Sequence, residues 1–384
     1  MQVFDNFERT DHTKASHSEC LFPFLNRSAS PLFATTRNEI EKWYSNYPLE
    51  YASELRSRIR SSDNHDSEGA IFELVLHEIL LRLGCTIEIH PEVPEGTRVP
   101  DFLVCSSEGD SFYMEATLAT FKSDKKVASE ARINQVFDAI NRQVNSTDFF
   151  LDLEISDSPK TPPNAKKISK GINKWLANLD PDEVSRIYEE TGFDGVPRWE
   201  VRHEGWFIIV RPIPKKKSSR GLPSESAIGM VGTGVRSVDH RTPLRKALES
   251  KSTAYGNLKY PYVIAVNVLE HVDDIDIMEA LFGKESWSIH FNKETGELLH
   301  QPEMSRIPDG FWTKYAGPRN TRVSCVLIFL RFKIWDLKGE KVRLYHNPWA
   351  KMPYSSVLTK FPQAIPKETR MYEVGGIDLQ TILG

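Results

Sequence analysis

Hydrophobic positions along residues 66–155 change repeatedly between a helical period of three to four and the short apolar runs typical of strands. The pattern predicts, in chain order, a helix over 66–83, strands over 85–90, 98–105 and 111–118, a helix over 127–144 and a strand over 149–155. Gly84 is placed to end the first helix, and residues 106–110 have the composition of a turn. The second and third strands therefore form a hairpin.

Two acidic residues fall on this hairpin. Asp101 follows Pro100 near the start of one strand, and Glu115 lies inside the next strand, followed by Ala116 and Thr117. A carboxylate in an apolar strand is costly to bury unless it is paired or bound to a metal, and two neighbouring carboxylates repel unless a cation lies between them. The pattern favours a metal site; the competing interpretation has Asp101 capping a turn and Glu115 facing solvent.

The element order and the Pro-Asp and Glu-x-Thr sequences resemble the PD-(D/E)XK nuclease superfamily over roughly residues 66–155. The resemblance implies an α/β restriction-endonuclease-like fold, a mixed sheet flanked by helices, with a large α/β C-terminal extension. It implies that Asp101, Glu115 and the Ala116 carbonyl bind Mg²⁺ or Mn²⁺, and that Glu73 on the first helix supports the metal. Two alternatives stay open on that helix: Glu68 in this role, or Glu73 as a solvated position.

The sequence departs from the family at Thr117, where the motif has a lysine. Threonine can form hydrogen bonds but cannot supply a positive charge. The resemblance therefore implies a relocated lysine, with Lys122 first and then Lys125 or Lys126 just beyond the strand. The implied catalytic residues are Asp101, Glu115, Lys122 and Glu73. The alternative is that this chain binds DNA without cutting it.

Charge is unevenly distributed along the chain, although the net charge is only −4. Basic residues cluster over 160–174, over 211–220 and, more loosely, over 236–251. The candidate DNA-contacting residues are Lys166, Lys167, Lys170, Lys215, Lys216 and Lys217. Flexible basic loops suit contact with a phosphate backbone, whereas the alternative for each cluster is ordinary solvated charge.

Length and pattern together predict the domain organisation. A chain of 384 residues is expected to form two or three domains. We expect a helical N-terminal extension over 1–60, the nuclease core over 61–158, and an α/β region over 159–384 that either extends the same sheet or contacts substrate. Within the last region, residues 262–268 form a continuous apolar run typical of a strand buried on both faces.

The four cysteines form no Cys-x-x-Cys pair, which is typical of reduced, cytoplasmic proteins without a zinc site. The polar, charged first residues do not have the pattern of a signal peptide, and the apolar run at 323–330 is too short to span a bilayer. We therefore expect a cytoplasmic location and no membrane partner.

The resemblance thus implies a metal-dependent nuclease that hydrolyses DNA phosphodiester bonds, with a role in restriction, repair or anti-phage defence. Two alternatives belong to other classes of protein. One is a catalytically inactive nucleic-acid-binding module, and the other is a protein-interaction subunit of a defence or repair complex. A protein partner or a homo-oligomer is compatible with either.

Overall fold

The computed structural model describes residues 1–93, 98–120, 124–156, 161, 164–203, 205–222, 224, 226–232, 239–337, 341–367 and 370–384. Its helices are α1 Leu21–Arg27, α2 Pro31–Ser45, α3 Leu49–Ile59, α4 Asn64–Arg82, α5 Asp124–Gln143, α6 Ala165–Leu176, α7 Pro181–Thr191, α8 Arg241–Ser252, α9 Asp274–Phe282 and α10 Leu379–Leu383. Its strands are β1 Thr86–Ile89, β2 Phe102–Cys105, β3 Ser111–Ala119, β4 Phe149–Ser156, β5 Trp199–His203, β6 Trp206–Pro214, β7 Ile228–Gly232, β8 Tyr262–Val268, β9 Glu285–Ser288, β10 Glu303–Arg306, β11 Thr313–Lys314, β12 Gly317–Pro318, β13 Val323–Leu330, β14 Lys341–His346, β15 Gln363–Lys367 and β16 Arg370–Val374.

The chain divides into two compact units. The large unit comprises Met1–Asp11, Cys20–Phe121 and Asp239–Gly384, and the inserted unit comprises His12–Glu19 and Lys122–Val238. Most of the inserted unit is thus a single excursion of the chain, which leaves the large unit after β3 and returns before α8. In the part of the chain that the structure describes, no helix combines the length and the apolar character needed to cross a membrane.

An eight-stranded mixed sheet forms the centre of the large unit, in the order β1-β2-β3-β8-β13-β14-β15-β16. β1, β2 and β3 form an antiparallel meander, and β3 then pairs in parallel with β8. β13 lies parallel to β8 on its other side. The predicted class, α/β with a mixed sheet flanked by helices, is confirmed.

Helices cover both faces of this sheet. Apolar residues of α1–α4 and α10 pack with one face, where Phe102, Met114 and Val263 are buried. Apolar residues of α8 and α9 pack with the opposite face, where Ile264 and Val266 are buried. Every residue of β8 is buried, as its largely apolar sequence predicts. Within the first 60 residues, helices α1, α2 and α3 span Leu21 to Ile59, and they share one core with α4.

Helix α4 agrees closely with its sequence pattern. It begins two residues before the predicted start because the side chain of Asp63 accepts a hydrogen bond from the His65 backbone N–H and caps the helix. Just past its end, Gly84 adopts a φ of 83°, the left-handed conformation that terminates helices.

The inserted unit has its own four-stranded sheet, in the order β5-β6-β4-β7. A separate hydrophobic core joins α5, α6 and α7 to this sheet. The helix and strand predicted over 127–144 and 149–155 exist as α5 and β4, but β4 pairs with β6 and β7 in this second sheet. The strand beside β3 is β8 instead. When the inserted unit is set aside, the order α4-β1-β2-β3-α8-β8 is again helix, three strands, helix and strand.

Candidate active site

Asp101 and Glu115 meet at the open end of the β2–β3 hairpin. Phe102 pairs with Met114, so Asp101, one residue before β2, lies level with Glu115. The Asp101 backbone N–H donates to Glu115 Oε2 at 3.3 Å, and the Ala116 backbone N–H donates to Asp101 Oδ2 at 2.7 Å. The hairpin register thus places each carboxylate within hydrogen-bond distance of a backbone N–H on the neighbouring segment.

The Glu115 side chain is buried and is held by residues that follow in the chain more than a hundred positions later. Lys251, in the last turn of α8, places its Nζ 2.5 Å from Glu115 Oε1. The Tyr255 hydroxyl, in the loop after α8, donates to Glu115 Oε2. Helix α8 reaches this position because it leads into β8, whose Ile264 pairs with Glu115. A cation therefore lies directly beside the acidic pair.

Glu73 approaches the pair from α4 and is only 3% exposed. The Tyr47 hydroxyl donates to its Oε1 at 2.7 Å, and Arg58 donates to its Oε2 at 2.6 Å. Both carboxylate oxygens are thus engaged by side chains of the preceding helical segment. In this arrangement Glu73 acts on the Asp101 carboxyl through its charge, and Tyr47 and Arg58 fix the position of its carboxylate.

Electrostatics at the site favour uptake of a positive charge. The pKa of Asp101 is raised well above its ordinary value, first by burial and then by the neighbouring Glu115 and Glu73 carboxylates. The Ala116 N–H and Lys251 act in the opposite direction, but burial and the like charges dominate. A divalent cation between the carboxylates would remove this repulsion.

Tyr255 and His77 keep fixed protonation states beside the carboxylates. Burial and the charge of Glu115 raise the pKa of Tyr255, so its hydroxyl remains protonated and continues to donate. Burial lowers the pKa of His77 to about 4, so its ring is neutral at physiological pH. That ring lies against Tyr47, with 4.8 Å between ring centroids, and its Nδ1 has no hydrogen-bond partner among the described residues. His77 therefore supports Tyr47 by packing.

The donor atoms available at the hairpin match the preferences of Mg²⁺. No group of three or more His, Cys, Asp or Glu side chains could hold a metal within the described ranges. The site instead offers two carboxylates, Asp101 and Glu115, and the Ala116 carbonyl. This carbonyl points to the same side of β3 as the Ala116 N–H, which bonds Asp101. Mg²⁺ binds through one or two carboxylates and keeps several waters, so this all-oxygen set fits it.

The other predicted site residues are distributed as follows. Lys122 lies outside the described residues, and Lys125 and Lys126 belong to α5 of the inserted unit. Thr117 is half-buried and lies on the same face of β3 as Glu115. Lys251 belongs to the loosest of the three predicted basic groups, and the sequence did not assign it to the metal site. Its position at the end of an amphipathic helix, just before a strand buried on both faces, is the signal that could have found it.

The candidate DNA-contacting lysines all lie in the inserted unit, and they differ in exposure. Lys166, Lys167 and Lys170 lie on the exposed side of α6, and Lys216 and Lys217 are also exposed. Lys217 is 3.4 Å from Asp182.

Lys215 was expected on a flexible loop, but the structure buries it. Its ammonium donates to the Ser146 carbonyl at 2.8 Å and to the Leu222 carbonyl at 3.3 Å. The charge of Lys215 is therefore used inside the inserted unit, and this side chain does not present it to a phosphate.

Comparisons of the chain with protein-family models, with curated proteins and with solved structures find no match. The interpretation of the site consequently depends on its own geometry: two adjacent carboxylates, a backbone carbonyl beside them, and a lysine within hydrogen-bond distance.

Proposed function

We propose that the large unit is a metal-dependent nuclease that hydrolyses phosphodiester bonds of DNA. The observation that carries the proposal is the position of Lys251, whose Nζ lies 2.5 Å from Glu115 while Glu115 contacts Asp101. This arrangement supplies the positive charge that the Glu-x-Thr sequence lacks. The order α4-β1-β2-β3-α8-β8, with α8 carrying this lysine, supports assigning the large unit to the restriction-endonuclease-like class.

Each residue of the site has a role that follows from its contacts. Asp101, Glu115 and the Ala116 carbonyl would hold Mg²⁺, which when bound lowers the pKa of a coordinated water and stabilises charge that develops on the phosphate. Lys251 is 32% exposed, so its ammonium can turn from Glu115 to donate to a water or to a phosphate oxygen. Tyr255, which stays protonated, orients Glu115 as a hydrogen-bond donor.

Substrate binding is assigned to positive side chains outside the hairpin. In the inserted unit, Lys166, Lys167 and Lys170 lie together on the exposed side of α6, while Ile168 and Ile172 are buried on the other side. A lysine-rich helix face of this kind contacts phosphates without reading base sequence. We infer that any sequence preference comes from other residues. The cellular role that the resemblance implies is restriction, repair or anti-phage defence.

The test is cleavage of plasmid and single-stranded DNA with Mg²⁺ or Mn²⁺, with a chelator as the blank. We expect metal-dependent cleavage by the wild type and loss of cleavage in Asp101→Asn and Glu115→Gln. Lys251→Met should lower the rate at least about 100-fold, the size expected when a preorganised donor is removed from a site of charge development. Lys246→Met is the matched control, because Lys246 is an exposed lysine on the same helix, and it should cleave normally.

Two outcomes would contradict the proposal. Cleavage that persists in Asp101→Asn and Glu115→Gln would assign the activity to another site or to a contaminant. Binding of DNA by the wild type without cleavage under any metal condition would favour the inactive nucleic-acid-binding alternative instead.

A further inference from the structure

A β-hairpin arm extends from the large unit between α9 and the buried residues Phe311 and Trp312. We define the arm as residues 284–308. Among the described residues, its strands β9 and β10 pair only with each other in a two-stranded sheet, with Trp287 opposite Met304. Further along, Phe291 pairs with Leu298. The side chains of the arm are almost all exposed or half-buried, so it packs on little of the chain that the structure describes.

One face of the arm is apolar. Trp287, Ile289 and Phe291 occupy every second position, so their side chains point to the same face, and Leu298 joins them across the hairpin. These four side chains are 58%, 55%, 56% and 61% exposed, respectively. The opposite face carries Ser286, Ser288 and His290, together with one exposed apolar side chain, Leu299. A group of exposed large apolar side chains with a more polar reverse face marks an interaction surface.

The base of the arm is fixed by close backbone contacts. Gly283 has a φ of 95°, and a Cβ at this position would lie 1.9 Å from the Ile307 carbonyl oxygen. The Arg306 guanidinium donates to the Gly283 carbonyl at 2.9 Å and pairs with Glu285 at 2.7 Å. The Lys284 N–H donates to Asp309 Oδ1 at 3.0 Å. The arm therefore leaves the large unit in a defined direction, which lowers the entropy lost when it binds a partner.

We propose that the arm is a dimerisation element, in which the apolar faces of two copies of this chain pack together about a two-fold axis. The proposal does not depend on the nuclease function. Two arguments favour a second copy of the chain as the binding partner of the arm: the symmetry of the contact and the area that it would bury. An isologous contact places the same patch on both sides, so a second copy supplies a matching apolar face without any further requirement.

The surface area that two arms would bury against each other is in the range of stable dimers. Aromatic side chains bury about 150–250 Å² each, and with the observed exposed fractions one arm would contribute roughly 450 Å² of apolar surface. Two copies would bury about 900 Å², and because interfaces are roughly 60% apolar this implies about 1,500 Å² in total. That value falls within the range of about 1,200–2,000 Å² for stable interfaces.

The experiment is sedimentation velocity on the full chain over a micromolar concentration series, with Trp287→Ser/Phe291→Ser as the arm variant. We expect a dimer for the wild type and a dissociation constant raised at least about 100-fold for the variant, because each interface loses an aromatic pair from both copies. Leu32→Ser/Leu49→Ser is the matched control. Both leucines are exposed on helices of the large unit and lie outside the arm, so this variant should remain a dimer.

Near-ultraviolet circular dichroism establishes whether each variant is folded. If the arm variant does not fold, Ile289→Cys replaces it, and mild oxidation should then link two chains through the arm. A monomeric wild type would overturn the proposal, as would an arm variant that remains a dimer, or an Ile289→Cys protein that forms no linked dimer. A wild type that is monomeric alone but captures a different protein through the arm would also refute self-association.

Discussion

Replacing Asp101 by asparagine should stabilise the protein at neutral and alkaline pH while it removes the activity. Asparagine has the same shape and keeps an oxygen that can accept the 2.7 Å hydrogen bond from the Ala116 N–H. It removes a negative charge that is buried beside Glu115 and Glu73, the two carboxylates that raise the pKa of Asp101. The substitution therefore removes repulsion without removing a structural contact.

The size and the pH dependence of this effect follow from the raised pKa of Asp101. An acid whose pKa is raised on folding does not lower stability below its unfolded pKa of about 3.9, because it is then protonated in both states. As the pH rises through the folded pKa, every tenfold difference in proton affinity between the folded and unfolded chain costs about 1.4 kcal/mol of stability. Single stabilising substitutions commonly raise the free energy of unfolding by about 0.5–2 kcal/mol, and we expect a gain of this size, which corresponds to a few degrees in Tm.

The assay is urea denaturation of Asp101→Asn and wild type across a pH series. The difference in the free energy of unfolding should be near zero at about pH 4 and largest at about pH 8. Asp110→Asn, in the exposed turn of the same hairpin, is the control and should not show this pH dependence. A variant that is no more stable than wild type at about pH 8, or that gains equally at about pH 4, would refute the reasoning. Added Mg²⁺ should raise the Tm of the wild type only.

The remaining predictions concern the groups around this carboxylate. Lys251→Met should lower the free energy of unfolding by about 1–3 kcal/mol, because it leaves the buried Glu115 without its half-exposed cation, and urea denaturation measures this. Arg58→Met should lower the free energy of unfolding by about 2–4 kcal/mol, because it leaves the buried Glu73 carboxylate without its cation. Adding Glu73→Gln should recover part of this loss, and additive losses in the double variant would contradict the explanation. Because burial lowers the pKa of His77 to about 4, the unfolded chain binds a proton first, and the wild type should lose about 3 kcal/mol between about pH 6.5 and 4. The His77→Phe variant should not show the part of the acid-induced loss of stability that comes from His77. A pH profile of stability unchanged from that of the wild type would refute this assignment to His77.

The hairpin carrying Asp101 and Glu115 could be predicted from the sequence because its information is local. Apolar strand patterns flank a turn-forming segment, and the register of a short hairpin follows from its turn. The contact between Asp101 and the Ala116 N–H depends on this register alone. Helix α4 was predictable for the same reason, and with it the presence of Glu73 near the hairpin.

Lys251 could not be assigned to the site from the sequence, because no residue near it in the chain indicates that it lies beside the hairpin. Its distance from Glu115 is set by β8 pairing with β3, a contact between strands separated by the whole inserted unit. Two further features depend on tertiary context in the same way. The sequence of α5 and β4 is compatible with either sheet, and only packing decides which sheet they join. Lys215 belongs to a run of three lysines, but its side chain is buried and its ammonium donates hydrogen bonds to two backbone carbonyls.

The place of the inserted unit in the chain has a consequence for synthesis on the ribosome. β3 ends at Ala119, and its parallel neighbour β8 begins at Tyr262. At a translation rate of about 5–20 residues per second, roughly 7–30 seconds pass between these two points. During this interval the β8 side of β3 has no partner, and Glu115 is without Lys251. A nascent chain with an unpaired, apolar strand edge is prone to aggregate. We therefore expect chaperones to bind its early portion during synthesis.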